Sequence, residues 1–464
     1  MRVKRFTAFL LAAMMLLAFA ACGGEGDRSV ADSSSEDASA VFGELSDTEE
    51  SASSESSEEE SSSSAEESVS LGANVGPWDE SEVSVEDYKP LNYEYVKGMW
   101  LYQYDSTSLF REDGEQRDEA EYRALVTKIC ENLERDGYNT LYLQVRGHGD
   151  SFYPSALYPP TRYAVADYDS EFIYDPLKIF VETAHKHGIS LHAWMNPYRL
   201  LLASQIAHVP DSYKIKQWYN EHEGDYVVAL EGRYYANPAY EEVQQLVIDG
   251  AVEICRNYKV DGIHIDDYFY PSGVKESFDR IAYEALGAGR TLKQFRYDSV
   301  NNLVKGLYDA IHAVNPELLF GISPAGNMSN NRGYLSADID TWCTTPGYID
   351  YIAPQVYWSH DYVKDFAKFD ICSTDWGELV TCDEVKLIIG MGLYRTEDPK
   401  PSSTDNGWYK HKDNIKRQLE FIYDFESASG YIMFDYETLY DIWTGEYNQD
   451  IAEERDNFLP LVKY

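Results

Sequence analysis

The chain is short of positive charge: 39 Lys and Arg stand against 80 Asp and Glu over 464 residues, a formal charge of −41. Affinity for a nucleic-acid backbone comes from clustered Lys and Arg that neutralise phosphates. No such cluster occurs, which excludes nucleic acid as a partner and disfavours anionic polymers. Cysteine is scarce too, six in all and none in CxxC spacing. Setting Cys22 aside for the reason given below leaves an odd number, which excludes a complete disulfide framework. Cys130 and Cys255 sit in apolar helical patterns as small core residues, and Cys372 and Cys382 read as free thiols. No Gly-rich phosphate fingerprint follows the first β-rich run, which argues against a dinucleotide fold. Beyond the N-terminus no apolar run approaches the roughly 20 residues of a membrane span. Tyrosine is absent before Tyr88, although the chain holds 39.

What is present divides the chain in three. Residues 1–22 read as an export signal, with Arg2, Lys4 and Arg5 ahead of an apolar run and Ala20-Ala21 before Cys22. The segment Phe19-Ala20-Ala21-Cys22-Gly23-Gly24 resembles a bacterial lipoprotein cleavage box, in which the cysteine carries the lipid. This predicts an extracytoplasmic protein anchored to the bacterial cell membrane at Cys22. Residues 23–75 are Ser- and Glu-rich, with fifteen acids and one Arg. They hold too little apolar surface to offset the entropy of ordering, so they read as a disordered acidic tether that extends by self-repulsion. Residues 76–464 form the folded domain, ending in a C-terminal helix.

In that domain β-rich apolar runs alternate with helical patterns. The runs fall at residues 97–102, 140–146, 190–195, 262–266, 319–323, 351–356, 386–391 and 430–434. Helices are expected near 119–135, 177–187, 239–257, 296–314, 336–344, 362–370 and 410–427. Seven crossovers joining eight strands predict an α/β fold, the (β/α)8 TIM barrel. Gly137 and Gly188 mark helix ends, and Gly262 opens a strand directly.

Catalytic groups of such a barrel lie where strands end and loops begin. Those positions hold Trp100 and Tyr104; Gln144, Arg146, His148 and Asp150; His192, Trp194, Asn196, Tyr198 and Arg199; His264, Asp266, Asp267, Tyr268 and Tyr270; Ser323 and Asn327; Gln355, Tyr357 and Trp358; Tyr394; Asp435 and Glu437. Aromatic rings that stack on sugar faces, interleaved with groups that hydrogen-bond hydroxyls, suit a saccharide site. Strand alternation puts His264, Asp266 and Tyr268 on one face and Ile263, Ile265 and Asp267 on the other. If the first face points inward, Asp266 stands at the mouth as a carboxylate able to stabilise or attack an oxocarbenium-like centre, with His264 below holding it ionised.

Several segments in register resemble the glycosyl-hydrolase-like family ten. They are Gly98-Met99-Trp100, Leu143-Gln144-Val145-Arg146 with Gly149-Asp150-Ser151-Phe152-Tyr153-Pro154-Ser155, His192-Ala193-Trp194-Met195-Asn196-Pro197-Tyr198-Arg199, Asp261 through Pro271, Phe320-Gly321-Ile322-Ser323-Pro324 and Ala353-Pro354-Gln355-Val356-Tyr357-Trp358. The resemblance implies a TIM barrel, an extracytoplasmic setting and hydrolysis of glycosidic bonds, peptidoglycan strands stripped of peptide being a substrate within the family. It carries over Asp266 and Asp267 as the acidic centre, with Arg146, Asp150, Asn196, Arg199, Gln355 and Tyr357 as subsite residues. The fourth-strand segment Gly262-Ile263-His264-Ile265-Asp266 also looks like the amylase clan, but Ile322-Ser323-Pro324 supplies no acid on the fifth strand. The proton donor stays open among Asp267, Asp150, Asp435 and Glu437.

The expectation is therefore a lipid-anchored glycoside hydrolase acting on a poly- or oligosaccharide with two carboxylates. The aromatic and polar strand-end residues serve the glycan, and no metal or cofactor is required. One alternative is a sugar-binding lipoprotein without turnover. The other is a metal-dependent hydrolase that gathers His148, Asp150, His192, His264 and Asp266.

Overall fold

The computed structural model describes residues 87–103, 107–111 and 113–463. The export signal, Cys22, the acidic tether and Tyr104 lie outside them. Parallel strands β1 (Val96–Leu101), β2 (Thr140–Arg146) and β3 (Ser190–Met195) come first. The chain then forms a small antiparallel sheet from β4 (Arg199–Leu202), β5 (Val227–Leu230) and β6 (Arg233–Ala236), in the order β4–β6–β5. It returns to the parallel sheet as β7 (Gly262–Ile265), β8 (Leu319–Ile322), the broken pair β9 (Tyr351–Ile352) and β10 (Gln355–Val356), β11 (Lys386–Gly392) and β12 (Ala428–Phe434). Pairing runs β12–β1–β2–β3–β7–β8–β9, and β11 closes the circle against β9, β10 and β12. With β9 and β10 as one stave, this is the closed (β/α)8 barrel.

The expected strands are present to within two residues. The sixth is split because Pro354 has no N–H for the ladder. The helix expected at 362–370 forms later, at Phe369–Leu379. Val363 and Phe366, within the expected range, face solvent. Helix Glu119–Asp136 shows how local sequence sets the ends: Asp118 and Glu121 form a capping box, and Gly137 closes the helix at φ 88°. All five described cysteines beyond the tether are free thiols.

Large rings fill the barrel where neighbouring strands carry glycine. A Cβ on Gly98 would lie 2.9 Å from the Tyr142 ring, on Gly262 2.6 Å from His192 Nδ1, and on Gly321 2.1 Å from the Tyr351 ring. The outward residues Leu141, Leu143, Ile263 and Ile265 join the apolar core under the helices. Residues 88–92 cross the N-terminal end of the barrel and are pinned by Asp261. This fully buried carboxylate accepts from Tyr88 OH (2.6 Å), Leu91 N (2.5 Å), Leu191 N (2.6 Å) and the His185 ring (2.9 Å).

Candidate active site

The floor of the site is a directed chain of hydrogen bonds along the barrel. Trp100 Nε1 donates to His264 Nε2 (3.2 Å), His264 Nδ1 meets Tyr351 OH (3.0 Å), and Tyr351 OH meets His192 Nδ1 (3.0 Å). His192 Nε2 then reaches Asn92 Oδ1 (3.1 Å). Both ends fix the proton positions. An indole only donates, so His264 accepts at Nε2 and carries its proton on Nδ1. At the other end Asn92 gives its amide N–H to the Asp261 carbonyl and presents oxygen to His192, which must hold its proton on Nε2. Burial keeps both rings neutral, pushing His192 down to about 4 and His264 well below the usual imidazole range. His264 therefore does not hold Asp266 ionised, as alternation had suggested, because both its nitrogens are committed to Trp100 and Tyr351.

Asp266 follows β7 at the mouth and is 3% exposed. Trp194 Nε1 donates to its Oδ2 (3.1 Å) and the Tyr268 N–H approaches Oδ1 (3.4 Å), which fixes the carboxyl plane. Burial, then the adjacent Asp267 carboxylate, push its pKa well above the usual carboxylate range, while the Trp194 bond, the Tyr268 N–H and Arg199 act the other way. The Arg199 guanidinium, delivered by β4, lies 4.7 Å over the Tyr268 ring.

A second carboxyl stands across the mouth. Asp435 directly follows β12, four staves from β7 in either direction, and is buried. Burial, then the Glu437 charge, push it up to about 7. Its Oδ1 accepts both the N–H (2.9 Å) and the hydroxyl (2.8 Å) of Thr438, leaving Oδ2 as the oxygen to carry a proton. Tyr102 OH donates to Glu437 Oε2 (2.6 Å). Midway between the two staves, Tyr357 follows β10. Its hydroxyl is raised by burial, then by Tyr394, Asp267, Asp435 and Asp266, so both carboxyls act on one phenol. Its ring packs on Trp100, Tyr394 and Phe434.

The remaining candidates separate. Gln144 and Asn196 are joined at the rim, Nε2 to Oδ1 at 2.9 Å, and Gln355 Nε2 bonds the Ser323 carbonyl (3.1 Å). Trp358 sits edge-on to Tyr362. Arg146 is not at the mouth. The register slips between Gln144 and Arg146, which pairs with Met195, so its side chain turns outward, stacks on Tyr158 (4.4 Å) and abuts Gly250 of helix Glu241–Asn257. Asp150 holds its own loop through the His148 N–H (3.0 Å) and the Gln103 amide (3.2 Å). Asn327 caps the turn Met328–Asn330. Tyr198 and Tyr270 are fully buried in the apolar core, Tyr270 beneath Arg296 (5.0 Å). His192 and His264 lie in the axial chain, and among the described residues no three His, Cys, Asp or Glu side chains gather as a metal site. Sequence reasoning passed over Tyr102 and Phe434 as strand residues. Their place at the C-terminal ends of β1 and β12 was the available signal.

The architecture and its acidic, aromatic mouth define a TIM barrel of the kind glycoside hydrolases use. The glycoside hydrolase domain of PgaB from Bordetella bronchiseptica superposes with a TM-score of 0.50 at 10% identity, covering 78% of this chain and 99% of that one. A β-galactosidase from Rahnella sp. R3 superposes with a TM-score of 0.51 at 12% identity, covering 81% and 57%. The chain belongs to the glycosyl hydrolase-like 10 family, whose model matches residues 95–410. It is 32% identical over 316 residues to glycosyl hydrolase YngK of Bacillus subtilis, a match spanning 64% of this chain and 60% of that relative's length. It is 28% identical over 339 residues to glycosyl hydrolase DigH of Escherichia coli strain K12, covering 68% and 76%.

Proposed function

We propose that this chain is a lipid-anchored glycoside hydrolase acting outside the cell on O-glycosidic bonds of a neutral or amino-sugar glycan, with cell-wall glycan as its substrate. The observation that carries the reading is the pair of buried carboxyls, Asp266 and Asp435, on opposite staves with Tyr357 between them. Membership of the family and two relatives named glycosyl hydrolases support it. Asp435, held near neutrality at about 7, gives its proton to the leaving glycosidic oxygen as the C–O bond breaks. Asp266, its plane fixed by Trp194, acts in its ionised form, which Arg199 and the positive charge developing at the anomeric carbon favour; it stabilises or attacks that carbon, and water completes the hydrolysis. Asp267 and Glu437 are the like charges that raise these two acids. The acidity of the chain suits an uncharged, peptide-free polymer, and Cys22 is the residue that carries the lipid anchor.

The second reading, a glycan-binding lipoprotein without turnover, draws on β8, which is followed by Ser323-Pro324 with no acid. Full-length protein is incubated with peptide-free glycan strands, chitin oligomers and plant polysaccharides, with product analysis. Hydrolysis that survives a chelator and disappears in Asp266→Asn is the expected result. Binding without products selects the second reading, and an active Asp266→Asn protein removes Asp266 from the chemistry.

A further inference from the structure

Two of the free thiols lie side by side at the N-terminal end of the barrel. Cys343 stands near the end of helix Ile339–Thr344 and is fully buried. Cys382 sits in the turn between helix Phe369–Leu379 and β11, where it is half-buried. The Cys343 carbonyl accepts both the Thr381 N–H (3.1 Å) and the Cys382 N–H (3.1 Å). A backbone bond of that length sets two Cα atoms roughly 5–6 Å apart, within the roughly 4.4–6.8 Å that a disulfide spans.

The side chains converge as well. Cys343 belongs to the apolar core, and Cys382 packs against that core. Burial, then Asp340, raise the Cys343 thiol, and Cys382 adds to the rise while Arg332 opposes it, so the two sulfurs act on each other. Cys372 offers Cys382 no competing partner, because it turns toward the other end of the barrel. Its Sγ donates to the Gly326 carbonyl (3.4 Å), beyond the C-terminal end of β8.

The stave enclosed by the pair is the barrel's most broken one. Residues 344–381 include β9 and β10, which Pro354 separates and which lead into Tyr357. A covalent link from the helix before this stave to the turn after it removes freedom from the unfolded chain and fastens the stave at its N-terminal end.

We propose that Cys343 and Cys382 are a disulfide pair, closed when a thiol–disulfide oxidant reaches the protein. The oxidant, but not the geometry, rests on the extracytoplasmic setting proposed above. The half-buried Cys382, as thiolate, attacks one sulfur of the oxidant's disulfide and expels a thiolate. Cys343 then gives up its proton and attacks the Cys382 sulfur, expelling the second thiolate. Two protein thiols become one disulfide, the oxidant is reduced to two thiols, and the cysteine protons pass to the expelled sulfurs.

Purified full-length protein is equilibrated with a glutathione disulfide buffer or with dithiothreitol, denatured in an alkylating agent and digested. The expected product is a peptide containing Cys343 joined to one containing Cys382, with Cys130, Cys255 and Cys372 alkylated. The thermal midpoint of the oxidised protein should exceed that of the reduced protein by about 5 °C. Cys343→Ser and Cys382→Ser should each lose the joined peptide and the redox dependence of the midpoint. Cys382→Ser, at the half-buried position, decides the matter if the buried variant does not fold. Alkylation of both cysteines after oxidation, glutathione retained on Cys382, or Cys382 joined to a different cysteine would each overturn the pairing. Cell fractionation separates this from the location: a cytoplasmic protein that closes the bond in the glutathione buffer refutes export alone, and an exported protein whose two thiols stay free there refutes the pairing alone.

Discussion

One strand of the barrel carries a buried aspartate at each end, and the two are built in opposite ways. Asp261, just before β7, is 0% exposed and receives four close donors from residues 88, 91, 185 and 191. Asp266, just after β7, is 3% exposed and receives one indole N–H and one long backbone contact, with a second carboxylate beside it. A buried charge with enough donors fastens the chain around it, whereas one with too few is costly in the empty site and gains from a ligand that brings positive charge. The N-terminal end of the barrel is thus a closed structural joint. The C-terminal end keeps unspent electrostatic free energy for a substrate.

The largest effect that tests this contrast is Asp266→Asn. Glycan cleavage, followed by release of reducing ends, should fall by at least about 10³-fold, as for removal of a catalytic carboxylate. The thermal midpoint should stay level or rise, because the repulsion with Asp267 is gone; a fall in midpoint would erase the contrast. Asp261→Asn should do the reverse, lowering stability by about 3 kcal/mol in denaturant melts as its donors lose a charged acceptor, with kcat per folded molecule unchanged.

Asp435→Asn should cut kcat by about 10²-fold, the scale of general acid catalysis, and alter the pH dependence of stability. With a folded value near 7, above that of the unfolded chain, the native state holds a proton that the unfolded state has released. Asp435 therefore contributes stability that is complete below the unfolded pKa and is lost as pH rises to about 7. Melting midpoints measured from pH 4 to 8 should decline less steeply in the variant. The smallest effect on activity is expected for Arg146→Met, which should leave kcat/KM for glycan unchanged because the side chain packs outside the barrel wall. A rise in KM there would return Arg146 to the mouth.

Much of this is legible in the sequence. Parallel strands buried on both faces read as apolar β-rich runs, so all eight staves stood out, and their C-terminal ends pointed to Trp100, Trp194, Asp266, Tyr357 and Asp435. Arg146 was placed at the mouth because it ends β2 and matches the family segment, but one irregularity between Gln144 and Arg146 turns its side chain outward. The antiparallel sheet was missed although the sequence held its signal. Glu231-Gly232, both at positive φ, make the two-residue turn between β5 and β6.

The sequence by itself determined the barrel, because hydrophobic period and crossover length are local properties that survive any reading of the chain. It also determined that acids and aromatic rings collect at one end of the staves. Only the tertiary structure decided which acids are supplied with donors and which are left short, since those donors come from distant residues: Tyr88 and Leu91 for Asp261, Trp194 for Asp266. Burial and charge at a carboxyl are sums over neighbours brought together from the whole chain, and sequence spacing does not carry them.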